Sequence, residues 1–153
     1  MHTQNFHILV VDDDEDDRFL INDALYECDM VSEVELEFAE DGEEAIAYLT
    51  QGHGLAQEQR IDLTKLPDLI LLDWNMPRMN GREVLEVLGS SRVLRALPVV
   101  VLTTSSQQAD VRQTYELGGR SFITKPTSFE GLVRIMKQIR AYWDGTVTLP
   151  GIS

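Results

Sequence analysis

Cysteine is nearly absent: Cys28 is the only one in 153 residues. That excludes an internal disulfide framework and suits a reducing compartment. Basic residues are scarce, with 13 Lys and Arg against 26 Asp and Glu, for a formal net charge of −13. Such a balance repels a phosphate backbone and argues against nucleic acid as a direct partner. Long apolar runs are missing as well. "LPVVVL" (97–102) is about the longest, far short of the ~18 residues of a membrane span. The opening "MHTQNFH" lacks the basic and then apolar build of a signal peptide. The expectation is a cytoplasmic protein with neither nucleic acid nor membrane as partner.

What is present is regular. Five short apolar runs have the character of strands: "FHILVV" (6–11), "VELEFA" (34–39), "DLILLD" (68–73), "PVVVLT" (98–103) and "SFIT" (121–124). The first, third and fourth barely alternate, as in parallel strands covered on both faces. Helical segments lie between and after them. Residues 15–28 place Ile21, Leu25 and Cys28 on one face, 42–50 carry Ala45, Ile46 and Leu49, and 82–90 carry Val84, Val87 and Leu88. Residues 106–117 are weakly patterned, with Val111 and Tyr115, and 128–143 form the longest and most apolar segment. Strand and helix alternate five times, which reads as an open, doubly wound α/β domain. Residues 51–66, "QGHGLAQEQRIDLTKL", are polar and longer than a usual connection, and read as a surface insertion.

The chemistry begins at "VVDDDEDD" (10–17), where a strand runs into six consecutive acids. In an open parallel sheet, ligands bind beyond the carboxyl ends of the strands. Asp12 and Asp13 end the first strand, Asp73 the third and Thr103 the fourth, and Lys125 follows the fifth. Three carboxylates, a hydroxyl and an ammonium should therefore meet at one edge. Crowded carboxylates repel unless neutralised, and an all-oxygen set favours Mg²⁺. A carboxylate can also attack phosphorus, giving an aspartyl phosphate. The other acids have local uses. Asp14 suits a helix cap, and Glu15, Asp16 and Asp17 complement the helix dipole. His2, His7 and His53 share no spacing and read as structural or exposed.

Thr103 stands 30 residues after Asp73, and Lys125 stands 22 after Thr103. Asp73 lies in "LILLDWNMP", with Pro77 and Gly81 following, Thr103 in "VVVLTTS" and Lys125 in "FITKP". In these features the chain resembles the receiver domains of two-component response regulators over residues 5–143. The resemblance implies a flavodoxin-like (βα)5 fold with strand order 2-1-3-4-5. It implies Asp73 as phosphoacceptor for a histidine kinase, and Mg²⁺ held directly by Asp13 and Asp73, by Asp12 mainly through water, and by the Asn75 backbone carbonyl. It implies Thr103 and Lys125 on the phosphoryl group, Phe122 as an aromatic switch, and a cis Lys125–Pro126 bond. The chain would thus be a single receiver domain over 1–153, with a tail at 144–153 and no output domain.

Its output would then go through protein contacts. In the last helical segment Phe129, Leu132, Met136, Ile139 and Trp143 form a stripe flanked by Val133, Ile135 and Tyr142. The apolar arc spans roughly 180°, against the ~100° a surface helix needs. The ending "YWDGTVTLP" resembles stand-alone regulators paired with cyanobacterial and bacterial phytochromes. That implies a phytochrome-type kinase as partner, and a homodimer through the fourth helical segment, fifth strand, fifth helical segment and tail. Two alternatives stay open. A Mg²⁺-dependent phosphohydrolase of the haloacid dehalogenase type also uses an Asp nucleophile, but its Asp-x-Asp-x-Thr/Val pattern is not met at Asp12–Asp16. A flavin or nucleotide binder on the same fold would need a Gly-rich loop after the first strand, where this chain has acids.

Overall fold

The computed structural model describes residues 6–28, 34–103, 111–112, 115–118, 121–126 and 128–143, apart from the side chains of 103, 121, 122, 140, 142 and 143. Five strands form one parallel sheet: β1 (Phe6–Val11), β2 (Val34–Ala39), β3 (Leu69–Leu72), β4 (Val99–Thr103) and β5 (Ser121–Thr124). Their order is β2-β1-β3-β4-β5, as the resemblance implies. The central strands are apolar throughout because each feeds two cores. Ile8, Val10, Leu69, Leu71, Val100 and Leu102 face one layer of helices, whereas Leu9, Val11, Ile70, Leu72, Val99 and Val101 face the other. The edge strand β2 differs. It alternates, with Glu35 and Glu37 exposed, and charge on an edge discourages pairing with another chain.

The first layer holds α1 (Glu15–Glu27) and the last helix (Phe129–Trp143), and the second holds α2 (Gly42–Leu49) and α3 (Gly81–Ser90). Each of the first three helices starts on a polar cap. Asp14 accepts from the amides of Asp16 and Asp17, Asp41 from Glu44, and Asn80 shares a reciprocal capping box with Glu83. Among the described residues of the last helix, four of the apolar arc are used inside the chain, and Phe129 stays exposed. Leu132, Ile135, Met136 and Ile139 are buried against Ile21, Ala24 and Leu25 of α1 and its C-cap residue Cys28, each side chain worth about 1.5–3 kcal/mol on burial. The fourth helical segment falls largely outside the described residues, but 111–112 and 115–116 are helical.

The insertion is ordered by polar contacts rather than by a long element. It contains two short 3-10 turns, Leu55–Arg60 and Leu63–Lys65, and Ile61 is buried. Gln51 bonds both backbone groups of Asp62, at 2.8 and 2.9 Å. Glu58 reaches the connection after α3, accepting from the Ser91 hydroxyl at 3.0 Å and the Val93 amide at 3.1 Å. The Val93 amide bond first, then Ser91, holds the Glu58 carboxyl below its usual range. A lowered carboxyl contributes stability above the ordinary glutamate range and loses it as pH falls through the depressed value. The protection factor of the Val93 amide, taken against its intrinsic exchange rate at each pH, is therefore expected to be high at neutral pH and to fall on acidification. In Glu58→Ala it should be low at both; unchanged protection in that variant would refute the tie.

Candidate functional site

The carboxyl edge of the sheet gathers the predicted groups. Asp12 follows β1, its amide bonded to Ala39 at 3.0 Å, and Asp73 follows β3, its amide bonded to Val11 at 2.9 Å. These bonds carry the two carboxylates forward from neighbouring strands. Asp12, Asp13 and Asp73 each present an oxygen, and the three lie within 4.8 Å of one another. Asp12 and Asp73 are buried, and Asp13 is exposed at the open side. Asn75 donates its backbone N–H to Asp73 Oδ1 at 3.3 Å.

Lys125 enters from the far side of the sheet. Its Nζ donates to Asp12 Oδ2 at 2.6 Å and to Asp17 Oδ2 at 2.6 Å, and stands 3.8 Å from Asp73 Oδ2. Burial alone would lower the Lys125 pKa. The hydrogen bonds to Asp12 and Asp17 and the charges of Asp12 and Asp73 outweigh it and hold the ammonium above the ordinary lysine range. Burial pushes Asp12 up, against the downward pull of Lys125 and the Asp14 amide. One carboxylate of the three is thus already matched to a cation. Asp13 and Asp73 carry the remaining charge, on hard oxygens suited to a small divalent ion.

Backbone and side-chain contacts fix the two acidic loops. Arg18 donates from Nη1 to the Asp12 carbonyl at 2.7 Å and pairs Nη2 with Glu40 at 3.3 Å, joining the loops after β1 and β2. Gly81 donates its amide to the Trp74 carbonyl at 2.9 Å. A Cβ on Gly81 would lie 2.7 Å from the Asp73 carbonyl oxygen, so only glycine lets α3 start this close to Asp73.

Of the predicted residues, Asp12, Asp13, Asp73 and Lys125 converge, and Asn75 adjoins them. Thr103 ends β4, paired in register with Thr124, and Phe122 lies in β5 opposite Val101; both side chains are outside the described residues. The Lys125–Pro126 bond corrects the expectation of a cis isomer. Among the described residues no peptide bond is cis, in keeping with the trans preference of about 0.5–1 kcal/mol that X–Pro bonds retain. By its sequence position Asp17 serves the helix dipole only. Its place in the first turn accounted for its charge locally, and its partner lies 108 residues away.

The sequence pattern of the response regulator receiver domain matches residues 8–137. The chain belongs to that family. It is 37% identical over 146 residues to the probable methanogenesis regulatory protein FilR2 of Methanothrix harundinacea, covering 95% of this chain and 88% of that one. It is 37% identical over 143 residues to the response regulator Rcp1 of Synechocystis, covering 94% and 92%. A structure of the Mn²⁺-bound form of Rcp1 superposes with a TM-score of 0.76 at 36% identity, over 95% of this chain and 99% of that one. The phosphorylated cyanobacterial phytochrome response regulator RcpA superposes with a TM-score of 0.81 at 38% identity, over 97% and 100%. This receiver is accordingly a phosphorylation-dependent signalling switch of the two-component kind, related to phytochrome response regulators, and its family implies a histidine kinase as partner. The phosphohydrolase alternative is not favoured. The acidic cluster is compatible with a divalent cation. No described helix is long and apolar enough to cross a membrane.

Proposed function

We propose that Asp73 is the phosphoacceptor of this receiver, and that Asp12, Asp13, Asp73 and the Asn75 carbonyl hold Mg²⁺ beside it. The observation that carries the reading is the meeting of three carboxylates and one ammonium where two central strands end. In the transfer an Asp73 oxygen bonds to phosphorus while the P–N bond of a phosphohistidine breaks. The electron pair of that bond returns to the imidazole nitrogen. Bound Mg²⁺ would supply positive charge to the phosphoryl oxygens. Lys125, whose Nζ stands 3.8 Å from Asp73 Oδ2, would add a second positive charge, and the Thr103 hydroxyl would donate a hydrogen bond to the phosphoryl group. Drawing Thr103 inward frees space for Phe122, which shifts the population between two packings of the β4–β5 side. The protein works in the cytoplasm as an acceptor and not as an enzyme on other substrates.

With residues 5–143 forming the receiver core, this stretch signals through protein contacts. A phytochrome-type kinase is the proposed donor, supported by the likeness to RcpA. The proposed homodimer uses the fourth helical segment, β5, the last helix and the 144–153 tail. The full chain is then expected to sediment as a dimer, and a chain ending at Asp144 as a monomer. Two monomers, with and without a phosphoryl mimic, would refute the interface.

The acceptor role is tested with acetyl phosphate and Mg²⁺ followed by intact mass. An adduct of roughly 80 Da, the mass of one phosphoryl group, is expected in the presence of Mg²⁺ and not after chelation. Multiple-turnover phosphate release from varied esters without an adduct would instead favour the hydrolase.

A further inference from the structure

Asp17 has a part in the site that its position in the first turn of α1 does not require. Dipole compensation asks only for negative charge near the helix start, which Glu15 and Asp16 also supply. Asp17 instead turns inward, and its Oδ2 lies 2.6 Å from Lys125 Nζ. The ammonium has three donors. Two are taken by Asp12 and Asp17, and the distance to Asp73, 3.8 Å, is beyond hydrogen-bond length. The ammonium therefore rests on the α1 side of the pocket while Asp73 stays outside its hydrogen-bonding reach. Asp17 is half-buried, so its pull on Lys125 is only partly screened.

We infer that Asp17 is a positioning residue for Lys125: it holds the ammonium off Asp73 in the unphosphorylated protein and competes with the phosphoryl group for it afterwards. The inference rests on the assignment of Asp73 as phosphoacceptor. It gives the first turn of α1 control over how tightly the phosphoryl group is held. An incoming phosphoryl group must draw the ammonium across the pocket against this carboxylate, and the tether sets a threshold that the modification has to exceed. Once the bond from Asp17 is exchanged for one to phosphate, the start of α1 loses a partner. The phosphorylated state is thereby felt at α1 as well as at β5.

The test is the affinity for beryllofluoride, a phosphoryl mimic, at saturating Mg²⁺. Asp17→Asn is expected to bind it roughly five-fold more tightly, the scale of losing one charge-assisted competitor. Asp17→Glu, which keeps the charge, should return most of the wild-type affinity. Asp16→Asn makes the same change in net charge one residue away on an exposed side chain, and should leave the affinity within two-fold of wild type, on the order of the small effects of surface charges. A gain of equal size in Asp16→Asn would mean a general field effect and overturn the inference. So would unchanged or weaker binding in Asp17→Asn with the fold intact by thermal unfolding. A wild-type protein that takes neither beryllofluoride nor phosphoryl from acetyl phosphate would overturn the Asp73 assignment itself, and this inference with it.

Discussion

Asp73→Asn is expected to abolish the phosphoryl adduct while leaving the protein folded and, without Mg²⁺, more stable than wild type. A carboxamide is a poor nucleophile toward phosphorus, so the adduct should fall below detection under conditions that label the wild type fully. The stability change has a separate cause. Asp12, Asp13 and Asp73 stand within 4.8 Å of one another with a single ammonium nearby. Removing one charge relieves repulsion that Lys125 offsets only in part until a divalent cation is bound. The Lys125 tethers to Asp12 and Asp17 do not involve Asp73, so the loop framework persists. Wild-type thermal stability should accordingly rise with Mg²⁺, by about 2.7 kcal/mol at a hundred-fold excess over the dissociation constant, and that of Asp73→Asn by much less. Unfolding followed by circular dichroism with and without Mg²⁺, beside intact mass, reads both effects. A variant still phosphorylated, or one melting below wild type in chelator, would count against this placement of the acceptor.

These residues were legible in the sequence for a physical reason. Strand-end positions in a parallel sheet are forced to one edge, so apolar runs that end in Asp12, Asp73 and Thr103 already fix where those residues go. The apolar runs themselves were clear because both faces of β1, β3 and β4 are covered. The role of Asp17 was hidden because a local explanation sufficed for its charge. Glu58 was hidden for a related reason: its partners are a backbone amide and a hydroxyl 35 and 33 residues away, and such partners leave no pattern in a sequence. Periodicity also understated the helices. Ala24 in α1 and Leu85 in α3 are buried beside the residues picked out by spacing. The wide arc of the last helix points by sequence toward a partner, but packing against α1 takes up Leu132, Ile135, Met136 and Ile139. Arc width measures how much a helix buries and does not say whether the covering surface belongs to the same chain.

Two glycines of α3 are expected to respond to alanine with opposite signs. On Gly81 a Cβ would sit 2.7 Å from the Asp73 carbonyl oxygen and 2.8 Å from Trp74 Cα, both backbone atoms that cannot rotate away. The helix start must then move off the loop after β3, straining the Gly81 amide bond to Trp74. Overpacking of this kind costs about 1–3 kcal/mol, a large share of the 5–15 kcal/mol that holds a typical domain together. The same shift displaces the carboxylate of Asp73, and a misplacement of about 1 Å in a reacting group can cost roughly 100-fold in rate. Gly81→Ala should therefore lower both the urea midpoint and the rate of labelling by acetyl phosphate. On Gly89 an added Cβ meets nothing within 4 Å. Its position inside the same helix leaves only the propensity gain of up to ~1 kcal/mol, so Gly89→Ala should raise the midpoint and leave labelling unchanged. Gly42 falls between them. Its Cβ would meet Met79 Cγ and Val84 Cγ2 at 2.7 Å, side-chain atoms that can yield in part. Equal losses for Gly81→Ala and Gly42→Ala would mean that closeness of the α3 start to the acceptor loop is not what glycine secures at position 81.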